Sequence, residues 1–232
     1  MSYLERVFRA TEEENCRAVL RVLPAARGGA LLDLGASTGE FTMRVAARVE
    51  ATRVAGVELI GDHAPAARAR GIDLALADID DGLPFADGEF DTVNANQVIE
   101  HVRRTDLFLS EVRRVLAPGG VACISTNNLS SWHNIGSLVL GYQPTPAHVS
   151  DEVILGNPLD PLRGQEHEDL GRTHLRLFTG RALRELCAHH GLEATLLRTV
   201  GYYPFPPLLG RVLARVDPLH GAFLVGLFRR AE

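Results

Sequence analysis

The amino-acid sequence predicts an α/β protein built on a mostly parallel sheet. Short apolar segments of strand length alternate with segments in which apolar residues recur at helical spacing, and this alternation is typical of parallel sheets covered by helices. The first predicted strand also ends in a glycine turn that opens directly into a helix. With 232 residues, 46% of them hydrophobic, the chain can bury one sizeable core. We therefore expect a single domain over residues 1–232.

The N-terminal segment, residues 1–29, is predicted to be helical. The run Thr11-Glu12-Glu13-Glu14 has the pattern of a capping box, which places the start of a helix near Thr11. Apolar residues follow it at helical spacing, namely Cys16, Val19, Leu20 and Leu23. We expect this amphipathic helix to lead into the core.

Seven segments have the length and composition of strands, and glycines or prolines separate them from the helical segments. In the last of these helices, Thr179 is the expected N-cap and Gly191 the expected C-cap. The predicted strands cover residues 30–34, 53–59, 72–77, 90–96, 121–126, 193–200 and 222–228, and the predicted helices cover 41–49, 63–70, the segment from Thr105 to Pro118, and 179–191.

Two connections lack a regular period. Residues 127–177, after the fifth predicted strand, are rich in Gly, Pro, Asn and His. A stretch of this length inside a compact domain is more often functional than idle, so we expect a substrate lid that can contain short helices. Between the last two strands, Tyr202-Tyr203-Pro204-Phe205-Pro206-Pro207 indicates either an aromatic wall of a pocket or a proline-stiffened hairpin connection, and the hairpin is slightly favoured.

The composition excludes several classes of partner. A formal net charge of −5 argues against nucleic acid, which requires a clustered basic face. Cys16, Cys123 and Cys187 are too widely spaced for a zinc site or a disulfide framework, which indicates a reducing cytoplasm, and no metal is expected. We find neither a signal peptide nor an apolar run of the ~18 residues that cross a membrane. The expected partner is a small molecule, with the protein a monomer or homodimer.

The glycine turn Asp33-x-Gly35-x-x-x-Gly39 indicates a binding site for a polar ligand. A strand that ends in glycine before a helix can present free backbone N–H groups and the positive end of the helix dipole at the carboxyl edge of the sheet. The spacing differs from the Gly-x-Gly-x-x-Gly of pyrophosphate sites. Taken alone, the pattern also fits an ordinary tight turn. Glu58 ends the second strand, where it either accepts ribose hydroxyls or is a solvated strand end.

Four further segments follow in order. They are Ala77-Asp78-Ile79-Asp80 with Leu83-Pro84-Phe85, then Phe90-Asp91-Thr92-Val93, then Asn96-Gln97-Val98-Ile99-Glu100-His101, and finally Glu111 to Gly120. Together with the glycine turn, they resemble the class I S-adenosylmethionine-dependent methyltransferases over residues 31–126. The similarity is to the ubiquinone/menaquinone-biosynthesis-like branch, methyltransferase type 11.

This resemblance implies a Rossmann-like sheet of seven mostly parallel strands with helices on both faces, a lid after the fifth strand, and S-adenosylmethionine as the cofactor. It further implies that the acid at Asp78 meets the adenine amino group and that Ile79 packs on the base. One extra residue in the following loop leaves open whether Asp78 or Asp80 faces the adenine. The implied cofactor-binding residues are Asp33, Gly35, Ala36, Gly39, Glu58, Leu59, Asp78, Ile79, Asn96 and Gln97.

The expected reaction is in-line transfer of the methyl group to O, N or C of a small metabolite or natural-product intermediate. An acceptor that must lose a proton needs a base, and histidine is the usual one. His133 and His101 are the candidates, although His101 is also a candidate for a structural role, and His174 either pins the lid or touches substrate. Two alternatives remain: a non-methylating rearrangement on the same cofactor, and a non-catalytic partner subunit.

Overall fold

The computed structural model describes residues 2–166 and 173–231. Its centre is a seven-stranded sheet in the order β3-β2-β1-β4-β5-β7-β6, in which only β7 runs antiparallel to its neighbours β5 and β6. This confirms the predicted fold class. The strands are β1 (Ala30–Leu34), β2 (Arg53–Glu58), β3 (Asp73–Leu76), β4 (Phe90–Asn96), β5 (Leu116–Asn127), β6 (Leu192–Val200) and β7 (Phe223–Arg230). The helices are α1 (Tyr3–Val22), α2 (Glu40–Val49), α3 (Ala64–Ala69), α4 (Thr105–Val115), α5 (Trp132–Val139), α6 (Gly180–His189) and α7 (Pro207–Val216).

Both faces of the sheet are covered by helices. Successive strand residues point to opposite faces, so Leu31 packs against α1 and α2, and Leu32 belongs to the core formed with α4 and α6. Strands buried on both sides are apolar along their length, which explains why residues 30–34 and 121–126 lack polar alternation. The two cores fix the positions of the strand ends.

The functional end of the sheet follows from the strand order. The chain leaves β1 toward β2 and β3 on one side, and returns to β4 and β5 on the other. In such sheets a crevice opens at the carboxyl ends of the strands where the winding direction changes. Here that point lies between the ends of β1 and β4, which pair in parallel from Leu31–Thr92 to Leu34–Ala95.

The start of α1 differs from the prediction. The capping box is formed by Ser2 and Glu5: the Ser2 hydroxyl accepts the Glu5 N–H at 3.1 Å, and the Glu5 carboxylate accepts the Ser2 N–H at 2.7 Å. Thr11 lies inside the helix, where its hydroxyl donates to the Val7 carbonyl at 2.8 Å. The prediction was wrong because a threonine can satisfy its hydroxyl on the preceding turn as well as cap a new one.

The connection between β6 and β7 is not a hairpin. It contains α7, which begins at Pro207. Proline is well accommodated in the first turn of a helix because its missing N–H has no partner there. The favoured interpretation of the proline-rich segment was therefore wrong.

The predicted lid contains one helix, α5, followed in the described part by irregular chain that reaches residue 166. Its two ends meet, because Asn128 and Phe178 form a parallel bridge and the Leu129 N–H donates to the Phe178 carbonyl at 2.9 Å. The part of the predicted lid from 167 to 172 lies outside the described residues. Within the described residues, no helix is long and apolar enough to cross a membrane.

Candidate active site

A cavity of about 1030 Å³, which we call the strand-end cavity, opens at the carboxyl ends of β1, β2 and β4. Six of the ten predicted cofactor residues line it, from four separate segments of the chain. They are Gly35, Glu58, Leu59, Asp78, Ile79 and Gln97. The predicted catalytic residue His101 also lines it.

The other predicted cofactor residues lie behind or beside the glycine turn. Asp33, Ala36 and Asn96 line a smaller adjoining cavity of about 320 Å³, which shares Gly35 with the strand-end cavity. Gly39 is the N-cap of α2. The structure therefore brings the ten residues to one edge of the sheet, where nine of them line one of two adjoining cavities and Gly39 lines neither.

The glycine turn is shaped by space and backbone conformation. Gly35 has φ +69°, and a Cβ there would lie 2.8 Å from Cγ2 of Val98. Gly39 has φ +82°, and its Cβ would lie 2.4 Å from Cδ1 of Ile72. Left-handed φ values and such close approaches favour glycine at both positions.

The expected free N–H groups of this turn are already engaged. The N–H groups of Gly35 and Ala36 donate to the Val57 carbonyl at 2.9 and 3.0 Å, and the Gly39 N–H donates to the Ala36 carbonyl at 2.8 Å. The expectation of free donors at these positions was wrong, because the β1–β2 ladder continues through Gly35 and Ala36 and the Gly39 N–H closes the turn on itself. The turn instead provides room for a ligand to approach the backbone.

Asp33 has a supporting place in the site. It is buried, and its carboxylate accepts hydrogen bonds from the Thr42 hydroxyl at 2.5 Å and from the Asn94 amide at 2.7 Å. Burial raises the pKa of Asp33 to about 6, although the two hydrogen bonds oppose the rise. The side chain thus links β1 to α2 and β4 beneath the turn.

Glu58 is oriented by three backbone donors. Its Oε2 accepts the Ser37 N–H at 2.6 Å, and its Oε1 accepts the N–H groups of Leu59 and Ile60 at 2.9 and 2.8 Å. A carboxylate has about four lone-pair sites, so about one site, at Oε2, remains to accept a hydroxyl group of a ligand in the strand-end cavity. The solvated-strand-end alternative does not fit a carboxylate that is only 6% exposed.

Asp78 and Asp80 have different surroundings. The Asp80 side chain is nearly buried and accepts the backbone N–H groups of Arg103 and Arg104 at 3.2 and 2.8 Å. The Asp78 side chain is about one-third exposed at the cavity, where Nη2 of Arg103 lies 3.0 Å from its Oδ2. Both acids line the strand-end cavity. The Asp80 carboxylate holds the chain before α4, whereas the Asp78 carboxylate is the more exposed of the two.

The end of β4 contributes Asn96 and Gln97. Oδ1 of Asn96 accepts hydrogen bonds from the Asn15 amide at 2.9 Å and from the Ser125 hydroxyl at 2.5 Å, which ties α1 to the sheet. Gln97 has φ +58°, a left-handed conformation that is uncommon outside glycine and clusters at functional sites. This conformation turns the chain at the boundary between two cavities.

A second cavity, which we call the histidine cavity, has a volume of about 420 Å³ and shares Gln97 and His101 with the strand-end cavity. Its lining joins α1 to the lid and to the segment after β6. The side chains that define it are Phe8, Glu12, His101, His133, His148, Asp160, His174 and Tyr203. The two cavities therefore meet at the carboxyl end of β4.

His133 lies in the first turn of α5, and its ring meets the Tyr203 ring edge-on with centroids 5.4 Å apart. Burial lowers the pKa of His133 to about 4, so the imidazole is neutral at physiological pH. Burial also lowers the pKa of His101, whose Nδ1 lies 3.1 Å from the Thr173 carbonyl. Both predicted histidines thus line the histidine cavity in neutral form.

His174 both pins the lid and lines the cavity, because its Nδ1 lies 2.9 Å from the Pro146 carbonyl. Tyr203 forms an aromatic wall, the alternative that the sequence analysis ranked second. Glu12, His148 and Asp160 were missed by sequence reasoning, since they come from α1 and the lid and belong to no motif. The only signal was the frequency of histidine in the lid.

Comparison with known protein families identifies the domain that forms the strand-end cavity. Residues 32–124 match a family model described as a methyltransferase domain. They form a class I S-adenosylmethionine-dependent methyltransferase domain. The match covers the glycine turn, Glu58, Asp78 and His101, so most of the lining of the strand-end cavity belongs to the matched domain. The lining is completed by three residues of the lid, Asp151, Thr173 and Leu175.

Curated relatives agree with this assignment. A probable S-adenosylmethionine-dependent methyltransferase of Mycolicibacterium smegmatis is 36% identical over 126 residues, which cover 53% of this chain and 46% of the relative. The ubiquinone/menaquinone biosynthesis C-methyltransferase of Geotalea daltonii is 29% identical over 113 residues, covering 45% and 48%. The chain spans less than half of the length of the curated relatives that it matches.

Solved methyltransferases share the fold over nearly the whole chain. A methyltransferase of Thermotoga maritima has a TM-score of 0.61 at 20% identity and covers 98% of this chain and 91% of its own. The 1,6-didemethyltoxoflavin-N1-methyltransferase of Burkholderia thailandensis, solved with its substrate and S-adenosylhomocysteine, has a TM-score of 0.56 at 18% identity and covers 99% and 88%. At these identities the likeness establishes the fold.

Proposed function

We propose that this chain transfers a methyl group from S-adenosylmethionine to a small-molecule acceptor. The observation that supports the proposal most directly is the meeting of two cavities at Gln97 and His101. One cavity has the acids and glycines of the methyltransferase domain, and the other has neutral histidines under the lid. A methyl donor in the first would present its sulfonium to an acceptor in the second.

The strand-end cavity suits the adenosine part of the cofactor. Asp78 is available to accept the adenine amino group, with Ile79 beside the base, and Glu58 can accept a ribose hydroxyl. The methionine part would cross Gly35 toward the smaller cavity lined by Ala36 and Asn96. Asp33 and Gly39 act by positioning the turn.

Methyl transfer requires the protein mainly to align the acceptor with the methyl group of S-adenosylmethionine. The acceptor lone pair forms a bond to the methyl carbon while the carbon–sulfur bond breaks, and the sulfur keeps that electron pair to give S-adenosylhomocysteine. Holding the acceptor in line and excluding water are the main contributions. The lid and α1, which line the histidine cavity together, would perform both tasks.

An acceptor hydroxyl or protonated amine must also lose a proton. His133 can take it, because burial lowers the pKa of its imidazole to about 4 and keeps the ring neutral near pH 7. His101 lies at the junction of the cavities and is the second candidate. The volume of the histidine cavity, about 420 Å³, fits a small molecule.

The test is incubation of the full chain with methyl-labelled S-adenosylmethionine and a small-molecule metabolite extract, followed by mass spectrometry. We expect equal amounts of S-adenosylhomocysteine and of a labelled product. The variant His133→Ala should lower turnover at least tenfold and leave the cofactor Kd within twofold, whereas His189→Ala, on the exposed end of α6, should change neither. Product formed without S-adenosylhomocysteine would overturn methyl transfer, and equal losses of turnover and cofactor affinity in His133→Ala would remove His133 as the base.

A further inference from the structure

Three potential metal ligands converge where the lid returns to the sheet. Glu100, His101 and His174 each offer one ligand atom, and these atoms lie within 4.8 Å of one another. Glu100 and His101 belong to the single turn after β4. The lid is held against this turn, since the N–H groups of Leu175 and Arg176 both donate to the Glu100 carbonyl, at 2.7 and 3.1 Å. Two elements distant in sequence are thus fixed against each other.

Both imidazoles are oriented through the backbone. Nδ1 of His101 lies 3.1 Å from the Thr173 carbonyl, and Nδ1 of His174 lies 2.9 Å from the Pro146 carbonyl. A carbonyl oxygen only accepts, so each Nδ1 is the protonated nitrogen, and in the neutral ring the lone pair is at Nε2. In His174 this Nε2 lies 3.5 Å from the amide nitrogen of Asn127, which a bound ion would displace. Metal-binding histidines are typically oriented in this way, with the second nitrogen donating to a carbonyl or carboxylate.

Glu100 is a buried carboxyl with only neutral hydrogen-bond donors around it in the described parts of the chain. It is fully buried, and its carboxylate accepts the Thr126 hydroxyl at 2.9 Å and the Asn127 amide at 3.3 Å. Both donors are neutral, and within residues 2–166 and 173–231 no arginine forms an ion pair with Glu100. An ionised carboxylate in such a place is stabilised by a cation or costs several kcal/mol.

We propose that Glu100, His101 and His174 bind a divalent transition-metal ion through one carboxylate oxygen and two Nε2 atoms. Two imidazoles and one carboxylate suit Zn²⁺, Fe²⁺, Mn²⁺ or Co²⁺ and leave coordination positions open. The sequence predicts no metal because the three cysteines are widely spaced, and it gives no sign of this site because His174 is far from the Glu100-His101 pair along the chain. The fold brings them together.

The position of the site gives the metal a role. His101 lines both cavities and His174 lines the histidine cavity, so open coordination positions would face the acceptor. A Lewis-acidic ion there would bind an acceptor oxygen and ease the loss of its proton before methyl transfer. This role rests on the proposed function, whereas metal binding itself does not.

The experiment titrates the full chain, without a tag and after dialysis against a chelator, with Co²⁺ alone. Calorimetry gives the stoichiometry, and the visible d–d absorption of Co²⁺ reports nitrogen and oxygen coordination. We expect one ion per chain, displaced by Zn²⁺. His174→Ala and Glu100→Gln should each weaken binding at least tenfold, whereas His148→Ala and His189→Ala should stay within twofold. His148 is a stringent control because its ring stacks on His174 with centroids 4.7 Å apart.

Thermal denaturation shows whether each variant is folded, and separate titration with S-adenosylhomocysteine tests the proposed function independently. If Glu100→Gln does not fold, His174→Ala at the lid edge decides. Failure of the wild-type chain to bind Co²⁺, or unchanged binding in the folded variants, would overturn the metal site and would indicate that the three groups share a proton instead. Loss of S-adenosylhomocysteine binding with retained Co²⁺ binding would count against the proposed function alone.

Discussion

The carboxylate of Asp80 accepts the backbone N–H of Arg104 at 2.8 Å, and this bond separates the roles of two neighbouring acids. It joins the turn after β3 to the residue before α4, together with a second bond from the Arg103 N–H at 3.2 Å. Asp78, two residues earlier, lines the same strand-end cavity as Asp80 but has the more exposed carboxylate, 32% against 9%. The geometry therefore favours Asp78 over Asp80 as the adenine partner, a choice that the sequence leaves open.

Substituting each acid tests this division. Asp78→Ala should weaken S-adenosylhomocysteine binding about tenfold and change the melting temperature little, because its carboxylate is partly exposed. Asp80→Ala should lower the free energy of unfolding by about 2–3 kcal/mol, because it leaves backbone N–H groups near Arg103 and Arg104 without their acceptor. Calorimetry and thermal denaturation measure the two effects. The reverse pattern would assign the adenine to Asp80.

Gly35 tests the role of the glycine turn. In Gly35→Ala the new Cβ would meet Val98 at 2.8 Å beside the ligand space, so we expect cofactor binding at least tenfold weaker. Gly28→Ala is the matched control: its φ is +72°, close to that of Gly35, yet nothing lies within 4 Å of its Cβ position. In both variants the free energy of unfolding should fall by ~1–2 kcal/mol, because an alanine is then held in a left-handed conformation. Equal cofactor affinity in the two would show that the turn does not approach the ligand.

His133 should make stability depend on pH. The unfolded chain protonates this histidine near pH 6.5 and the folded chain only near pH 4, because burial lowers its pKa. The unfolded state therefore binds more protons between these values, so the free energy of unfolding falls as the pH falls through this range. At ~1.4 kcal/mol per pH unit, wild type should lose up to about 2 kcal/mol more than His133→Gln between pH 7 and pH 5. Denaturant titrations at both pH values measure this difference, and parallel losses would contradict the lowered pKa.

Asn128 should be a major contributor to stability at the base of the lid. It is fully buried, and its amide donates to the carbonyls of Leu219 and Gly221 at 3.0 and 2.7 Å, which ties the end of β5 to the start of β7. Asn128→Ala should cost about 2–4 kcal/mol, since it leaves buried polar groups unpaired. Ser130→Ala loses only a hydroxyl that donates to Asn128 at 2.8 Å, and should cost about 1 kcal/mol. Similar melting temperatures for the two variants would contradict this account.

Local patterns predicted the sheet well, because buried strands and amphipathic helices leave a clear signal in sequence. The strand Phe90–Asn96 was predicted at its observed limits, and Thr179 caps α6 as expected, with its hydroxyl accepting the Ala182 N–H at 3.3 Å. The errors arose where one residue type is compatible with two different local structures. Thr11 bonds back within α1, and the proline-rich segment leads into a helix that begins at Pro207.

The candidate site was only partly predictable, for a physical reason. Motif residues such as Gly35 and Glu58 follow strands directly, so the fold brings them to one edge. Glu12, His148 and Asp160 reach the histidine cavity only through tertiary packing of α1 and the lid, and no local pattern records that packing. The convergence of His174 on Glu100 has the same origin.

The most direct test of the central claim is calorimetric titration of the full chain with S-adenosylhomocysteine, in wild type and in Glu58→Gln. We predict that one molecule of S-adenosylhomocysteine binds per chain. Binding should be at least tenfold weaker in Glu58→Gln, because an acceptor oxygen for the ribose is replaced by a donor amide. The control variant Glu193→Gln should bind as wild type does, because Glu193 lies in β6, the edge strand of the sheet on the side away from β2 and β3. Absence of binding by the wild-type chain would contradict the assignment of the strand-end cavity to the cofactor.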